Sequence, residues 1–337
     1  LESTSPINLL SENTNTSQTN ASCFVAGGGS VIGEATGLNN PSIPPGTAPM
    51  VEGNFEMANN TRVSGIELIG QDRNGSGATG IQRLSLDVSN LRIDNNIFRA
   101  PGLEGIRIVN VVGDLTIEDN IFTGAGGALS FNLSVHSSAS TVTINNNILD
   151  KSGGIAVRFT PDQNPRINFT NNRSEAGSLQ PQGLTFDIRA GCRPIVEISG
   201  NNMTSVSPTF GIESFQFSIG NASVEANIRN NTFENGRVVV GVNGTGTATN
   251  VIDVKDNTGI GASMNFIGST FSQVRWQSNT TPVGIEASGL SSEDVSVGLS
   301  DTAQVQALFQ DNTHEHGAGF SATASSMLEV ALVNLLS

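Results

Sequence analysis

From residue 55 onward the chain alternates apolar and polar positions in short runs, and one run, LRIDNNIF at 91–98, recurs in degraded but legible form. Aligned on the Asn in its sixth place, the copies are FEMANNTR (55–62), LRIDNNIF (91–98), LTIEDNIF (115–122), VTINNNIL (142–149), INFTNNRS (167–174), VEISGNNM (196–203), ANIRNNTF (226–233), IDVKDNTG (252–259), VRWQSNTT (274–281) and ALFQDNTH (307–314). The third place is apolar throughout: Met57, Ile93, Ile117, Ile144, Phe169, Ile198, Ile228, Val254, Trp276 and Phe309. The sixth is Asn throughout: Asn60, Asn96, Asn120, Asn147, Asn172, Asn201, Asn231, Asn257, Asn279 and Asn312. Alternation with period two predicts strands that turn one face to a core.

Successive Asn residues lie 36, 24, 27, 25, 29, 30, 26, 22 and 33 positions apart, so a fixed core carries inserted loops of variable length. A repeat of this size marks a solenoid, propeller or array. Between the copies runs a second apolar segment, commonly opened by Gly: GIRIV (105–109), GALSF (127–131), GIAVRF (154–159), GLTFDI (183–188), GIESFQF (211–217) and VVVGV (238–242). The β-branched residues and the density of Asn, Gly, Thr and Ser exclude helical repeats. A propeller blade needs four strands in about 40–45 residues, longer than nearly every spacing in this chain. The expected fold is all-β, a parallel β-helix of about ten coils stacked at roughly 4.8 Å. In it the third-place residue stacks inward. The Asn closes the strand at a bend, where it tolerates left-handed backbone angles and bonds the next Asn in a ladder.

Residues 1–22 are polar and nearly patternless and predict a flexible or loosely docked lead-in; 23–50, Gly-rich and then Pro-punctuated, predict an N-terminal cap; 51–337 predict the solenoid. The run EHGAGFSATASSMLEVALVNLLS resembles the start of a further coil without a cap, which predicts continuation in a longer chain or end-on stacking with a second copy. MLEVALVNLL also fits the apolar face of a short helix. Net charge is −14, Lys occurs only as Lys151 and Lys255, and Lys and Arg do not cluster, which argues against nucleic acid and anionic membranes as partners. No apolar run is long enough to span a bilayer. Cys23 and Cys192 are expected some four coils apart, roughly 20 Å along the axis, so a disulfide requires the lead-in to fold back along the helix. N-x-S/T sequons, including those at Asn168, Asn202, Asn230 and Asn279, follow from an Asn- and Thr-rich repeat and do not establish glycosylation.

With a cap, a first coil reading NNTRVSGIELIG and the IxxN-x-F pattern that follows, residues 23–337 resemble the right-handed parallel β-helix of the pectin-lyase-like superfamily. The pattern is similar to that of bacterial surface β-helix proteins and autotransporter passenger domains. The resemblance implies a right-handed coil. It leaves function open, because the superfamily includes polysaccharide lyases and hydrolases, phage tailspikes, adhesins and stalks.

Function therefore has to come from columns of residues at equal offsets on neighbouring coils. Two places before the Asn the column reads Asp94, Glu118, Asn145, Thr170, Ser199, Arg229, Lys255 and Gln277; one place before, it reads Asn95, Asp119, Asn146, Asn171, Gly200, Asn230, Asp256 and Ser278. Asp94, Glu118 and Asp119 form a small acidic cluster with the oxygen ligands that suit Ca²⁺, the single cofactor the chain suggests. The plainer reading is an exposed, solvated patch. Arg158 and Asp187 share an offset on the second strand and read as a surface ion pair. Trp276 falls on an inward position, and His314-Glu315-His316 reads as a solvated turn rather than a metal site. No column assembles an acid/base pair, and no Ser–His–acid set stands out.

The expected function is an exported structural and interaction protein: a rigid acidic β-helical rod serving as adhesin, stalk or subunit of an extracellular assembly. Its partners would be a host or cell-surface glycan or protein, or itself through end-on stacking, outside the cell or on a bacterial surface. The alternative is a secreted polysaccharide lyase or glycoside hydrolase, with its groove among 105–115, 158–166 and 187–193 and with Arg158, Arg189 or Arg193 in it. A trimer like that of phage tailspikes is a third reading.

Overall fold

Strand register shows which face each residue takes. The computed structural model describes residues 59–65, 87–98, 104–123, 129–150, 154–175, 182–203, 213–244, 248–280, 295–313, 318–323 and 325–334, with short strand segments at 7–11, 23–27, 50–52, 55–56, 67–69 and 81–83. All of the regular structure there is β, in parallel rungs of a solenoid apart from one antiparallel pair in the N-terminal region, with no helix among the described residues. By internal contacts the chain divides into two compact units, Leu1–Ile155 with Asn172–Gln180, and Ala156–Asn171 with Pro181–Ser337.

In the first unit the strands Arg62–Ser64, Leu91–Asp94, Leu115–Glu118 and Thr141–Asn145 stack in parallel without a register slip. Val63, Ile93, Ile117 and Ile144 therefore stand one above another, all buried. After a bend the short strands Ile97–Phe98, Ile121–Thr123 and Ile148–Asp150 repeat the stacking, with Phe98 flat on Phe122 at 4.4 Å between ring centroids. Identical shapes at one-rung spacing pack without gaps, so a column of Ile or Phe fills the coil efficiently.

One expectation changes at the N-terminal end. Val63, not Met57, stands beside Ile93, so FEMANNTR is out of register with the later copies and the first rung is TRVSG, from Thr61 to Gly65. The lead-in contributes one strand. Ile7–Ser11 is a strand, parallel to Arg62–Ser64 and antiparallel to Cys23–Gly27, so the covering of the sheet edge starts within the lead-in. This pairing supplies partners to backbone groups that an open edge would leave to water.

In the second unit the ladder-face strands are Arg166–Thr170, Ile195–Ser199, Glu225–Arg229, Thr249–Lys255, Phe271–Gln277, Gln304–Gln310 and Met327–Val333, all parallel. Phe169, Ile198, Ile228, Val254, Trp276 and Phe309 form one inner column with no exposed surface. The opposite wall is built by Leu184, Phe215, Val238, Ala262 and Val295 in one column and by Phe186, Phe217, Val240, Met264 and Val297 in the next. Met327–Val333 is a strand, not the amphipathic helix that MLEVALVNLL also allows. Register decides it, because Leu328, Val330 and Leu332 continue the inward columns of Val305, Ala307 and Phe309. On that strand Met327, Leu332 and Val333 are exposed.

Candidate functional site

Each coil bends at the place before the sixth-place Asn. Asn95, Asp119, Asn146, Asn171, Asn230, Asp256, Ser278 and Asp311 all have φ between 52° and 57°, and Gly200 has 66°. The left-handed residue is thus the fifth-place one rather than the ladder Asn. One residue with positive φ reverses the side-chain direction and turns the next side chain into the coil, where a polar group must find partners.

In the first unit those partners are the neighbouring rungs. Asn120 donates through Nδ2 to Ile93 O at 2.8 Å and to Asn147 Oδ1 at 3.0 Å, and its backbone N–H also reaches Asn147 Oδ1 at 3.0 Å. Asn96 does the same with Val63 O and Asn120, and Asn147 with Ile117 O and Asn172. The second unit repeats the scheme from Asn201 through Asn231, Asn257 and Asn279 to Asn312, every one buried. Asn60 is not part of this ladder. It is exposed, has φ of 57°, and accepts a hydrogen bond at 2.7 Å from Asn90, because its true register partner is Asn90 and not Asn96. Asn279 carries a sequon, yet its amide is engaged within the core.

The acidic cluster becomes an ion-pair network. Register places Ser64, Asp94 and Glu118 in one column. Asp94 is wholly buried, held by Arg62 through Nε at 2.9 Å and Nη2 at 2.6 Å and approached by Arg92 at 3.2 Å. Arg92 reaches one rung on to Glu118 at 2.5 Å. Burial pushes the Glu118 carboxyl above its usual value, against the pull of Arg92. Asp119 points elsewhere and accepts from Asn146 Nδ2 at 2.6 Å. The three carboxylates thus take their cations and donors from the chain itself. No group of three or more His, Cys, Asp or Glu side chains among the described residues is arranged to hold a metal ion.

The same habit recurs in the second unit. Arg229 forks onto Glu197 with two contacts of 2.7 Å across one rung, and Glu197 raises the Arg229 pKa above its ordinary value. Asp187 pairs with Arg189, two residues on, at 3.1 Å rather than with Arg158. Arg158 and Arg193 are exposed. Cys192 is a free, buried thiol lying 2.9 Å from Thr160 O. Trp276 lies in the core, where its Nε1 has no hydrogen-bond partner. His314, Glu315 and His316 lie outside the described residues. No helix among the described residues is long and apolar enough to cross a membrane.

Sequence reasoning missed Arg62, because the shifted alignment of the first copy put it at the end of a phrase instead of beside Arg92. No family model, curated protein or solved structure matches this chain.

Proposed function

We propose that this chain is an exported structural and interaction protein, a solenoid scaffold comparable to bacterial surface β-helix proteins and autotransporter passenger domains. It presents its loops and outer strand faces to a partner at a cell surface. The observation that carries this reading is the direction of its charged side chains. Arg62, Arg92 and Arg229 reach along the stacking direction to Asp94, Glu118 and Glu197 on adjacent rungs, so acid and base fasten coils to each other. General acid–base catalysis needs carboxylates aimed at a bound substrate instead. The test incubates the chain with a broad polysaccharide panel, with and without Ca²⁺, and follows reducing ends and unsaturated products alongside retention on the same immobilised glycans. Retention without product supports the scaffold; sustained product release rules it out in favour of a polysaccharide lyase or hydrolase.

A further inference from the structure

On the outer side of the ladder face, the last three described rungs of the second unit set two columns side by side. Gln273, Gln306 and Glu329 form one; Arg275, Leu308 and Ala331 form the other. Between them lies an open trough of about 350 Å³, lined also by Val274 and Ala307. That volume is in the lower part of the range for small-ligand sites.

One wall is a relay of planar groups. Gln273 Nε2 donates to Gln306 Oε1 at 3.3 Å, and Gln306 Nε2 donates to Glu329 Oε2 at 3.1 Å. These bonds hold the side chains in line and use only part of each amide's capacity, which leaves donors and acceptors along the wall. The other wall is apolar where Leu308 and Ala331 lie, and Arg275 stands at its end, exposed and without an ion-pair partner among the described residues. Arg275 and Glu329 carry opposite charges, so the trough has no net charge of its own, and the chain's −14 opposes an acidic ligand.

We propose that this trough binds a neutral oligosaccharide. A pyranose ring offers C–H groups on its face and hydroxyls around its edge. Leu308 and Ala331 suit the face, while the amides and the guanidinium fork suit neighbouring hydroxyls taken two at a time. Three rungs span roughly 10 Å, which accommodates a ligand of more than one ring. The assignment rests on the interaction reading above and gives that partner a chemical class and a place.

The experiment offers cellotetraose, mannotetraose and a galacturonate tetramer to the full chain and reads binding by calorimetry and saturation-transfer NMR. The expected result is binding of at least one neutral tetramer, weakened about tenfold or more by Gln306→Ala and by Ala331→Glu, with thermal midpoints unchanged. Both residues face outward at an exposed surface, so folding is preserved. Undiminished binding in both variants, or preference for the galacturonate, overturns the trough assignment and leaves the scaffold reading intact. Absence of binding by all three tetramers also overturns it, whereas cleavage of any of them overturns the scaffold reading instead.

Discussion

Arg62 grips Asp94 across one rung through two hydrogen bonds, and the carboxylate it holds has no exposed surface. Removing one partner of a buried pair leaves the other charge without compensation. Arg92 also reaches Asp94 but is half exposed, so solvent weakens its contribution. Arg62→Ala is expected to cost about 3 kcal/mol. The double variant Arg62→Ala/Asp94→Ala should lose less than the sum of the two single changes. Urea midpoints of the three proteins check this, and strict additivity would show that the two groups do not act as a pair.

Asn231 and Asn60 occupy the same place in the repeated phrase but different places in the fold. Asn231→Ala strands the buried Ile198 carbonyl and the Asn201 and Asn257 groups it now bonds, a loss of roughly 3 kcal/mol or more. Asn60→Gly keeps the positive φ and removes only an exposed contact with Asn90, so its effect should stay within about 0.5 kcal/mol. Equal thermal shifts for the two variants would contradict the pairing of Asn60 with Asn90.

Gly268 has φ of 92°, and a Cβ there would lie 1.9 Å from the Gly244 carbonyl oxygen on the adjacent rung. That oxygen is backbone and cannot swing aside. Gly268→Ala should therefore destabilise by roughly 3 kcal/mol. Gly220→Ala meets nothing closer than Asn243 O at 4.0 Å and should change stability by less than about 1 kcal/mol. Chemical denaturation of the pair separates steric conflict from a general intolerance of added methyl groups.

Burial pushes the Cys192 thiol above its ordinary pKa. The folded state therefore keeps its proton at a pH where the unfolded thiol has lost it, so the unfolded state binds fewer protons and stability falls as pH rises. The contribution is complete below the unfolded thiol pKa and disappears as pH climbs through the folded value, in the alkaline range above about 8.5. Thiol reagents should label Cys192 only as fast as the second unit opens, and Cys192→Ala should flatten the alkaline loss. Rapid labelling of the native protein at neutral pH would contradict this.

The solenoid is legible in the sequence because Ile93, Ile117 and Ile144 recur at the same offset from Asn96, Asn120 and Asn147, and only stacked strands reward that repetition. The first rung is not legible. FEMANNTR imitates the phrase, while the rung that stacks has Gly65 beside Asn95 and is followed by Ile66, so it lacks the Asn by which copies are aligned. The bend column is also hidden, since Asn95, Asp119, Gly200 and Ser278 share a backbone conformation rather than a side chain. Burial of Asp94 depends on Arg62, 32 residues away, and the outer trough depends on Leu308 and Ala331 standing in the column beside Gln306. Such lateral neighbours follow from register, which an alignment of short phrases does not supply.

Within each unit the ladder amides point the same way: each oxygen receives from the preceding Asn and each nitrogen gives to the oxygen of the following one. Every interior member therefore offers its neighbours identical bonds. A gene encoding such a chain can gain or lose one whole repeat without leaving a broken bond in the ladder at the join. Excising the 26 positions from Asn231 up to Asn257 would simply hand Asn201 the next oxygen in line. Length is then a heritable variable that selection can adjust in steps of one coil, independently of whatever the surface has come to recognise.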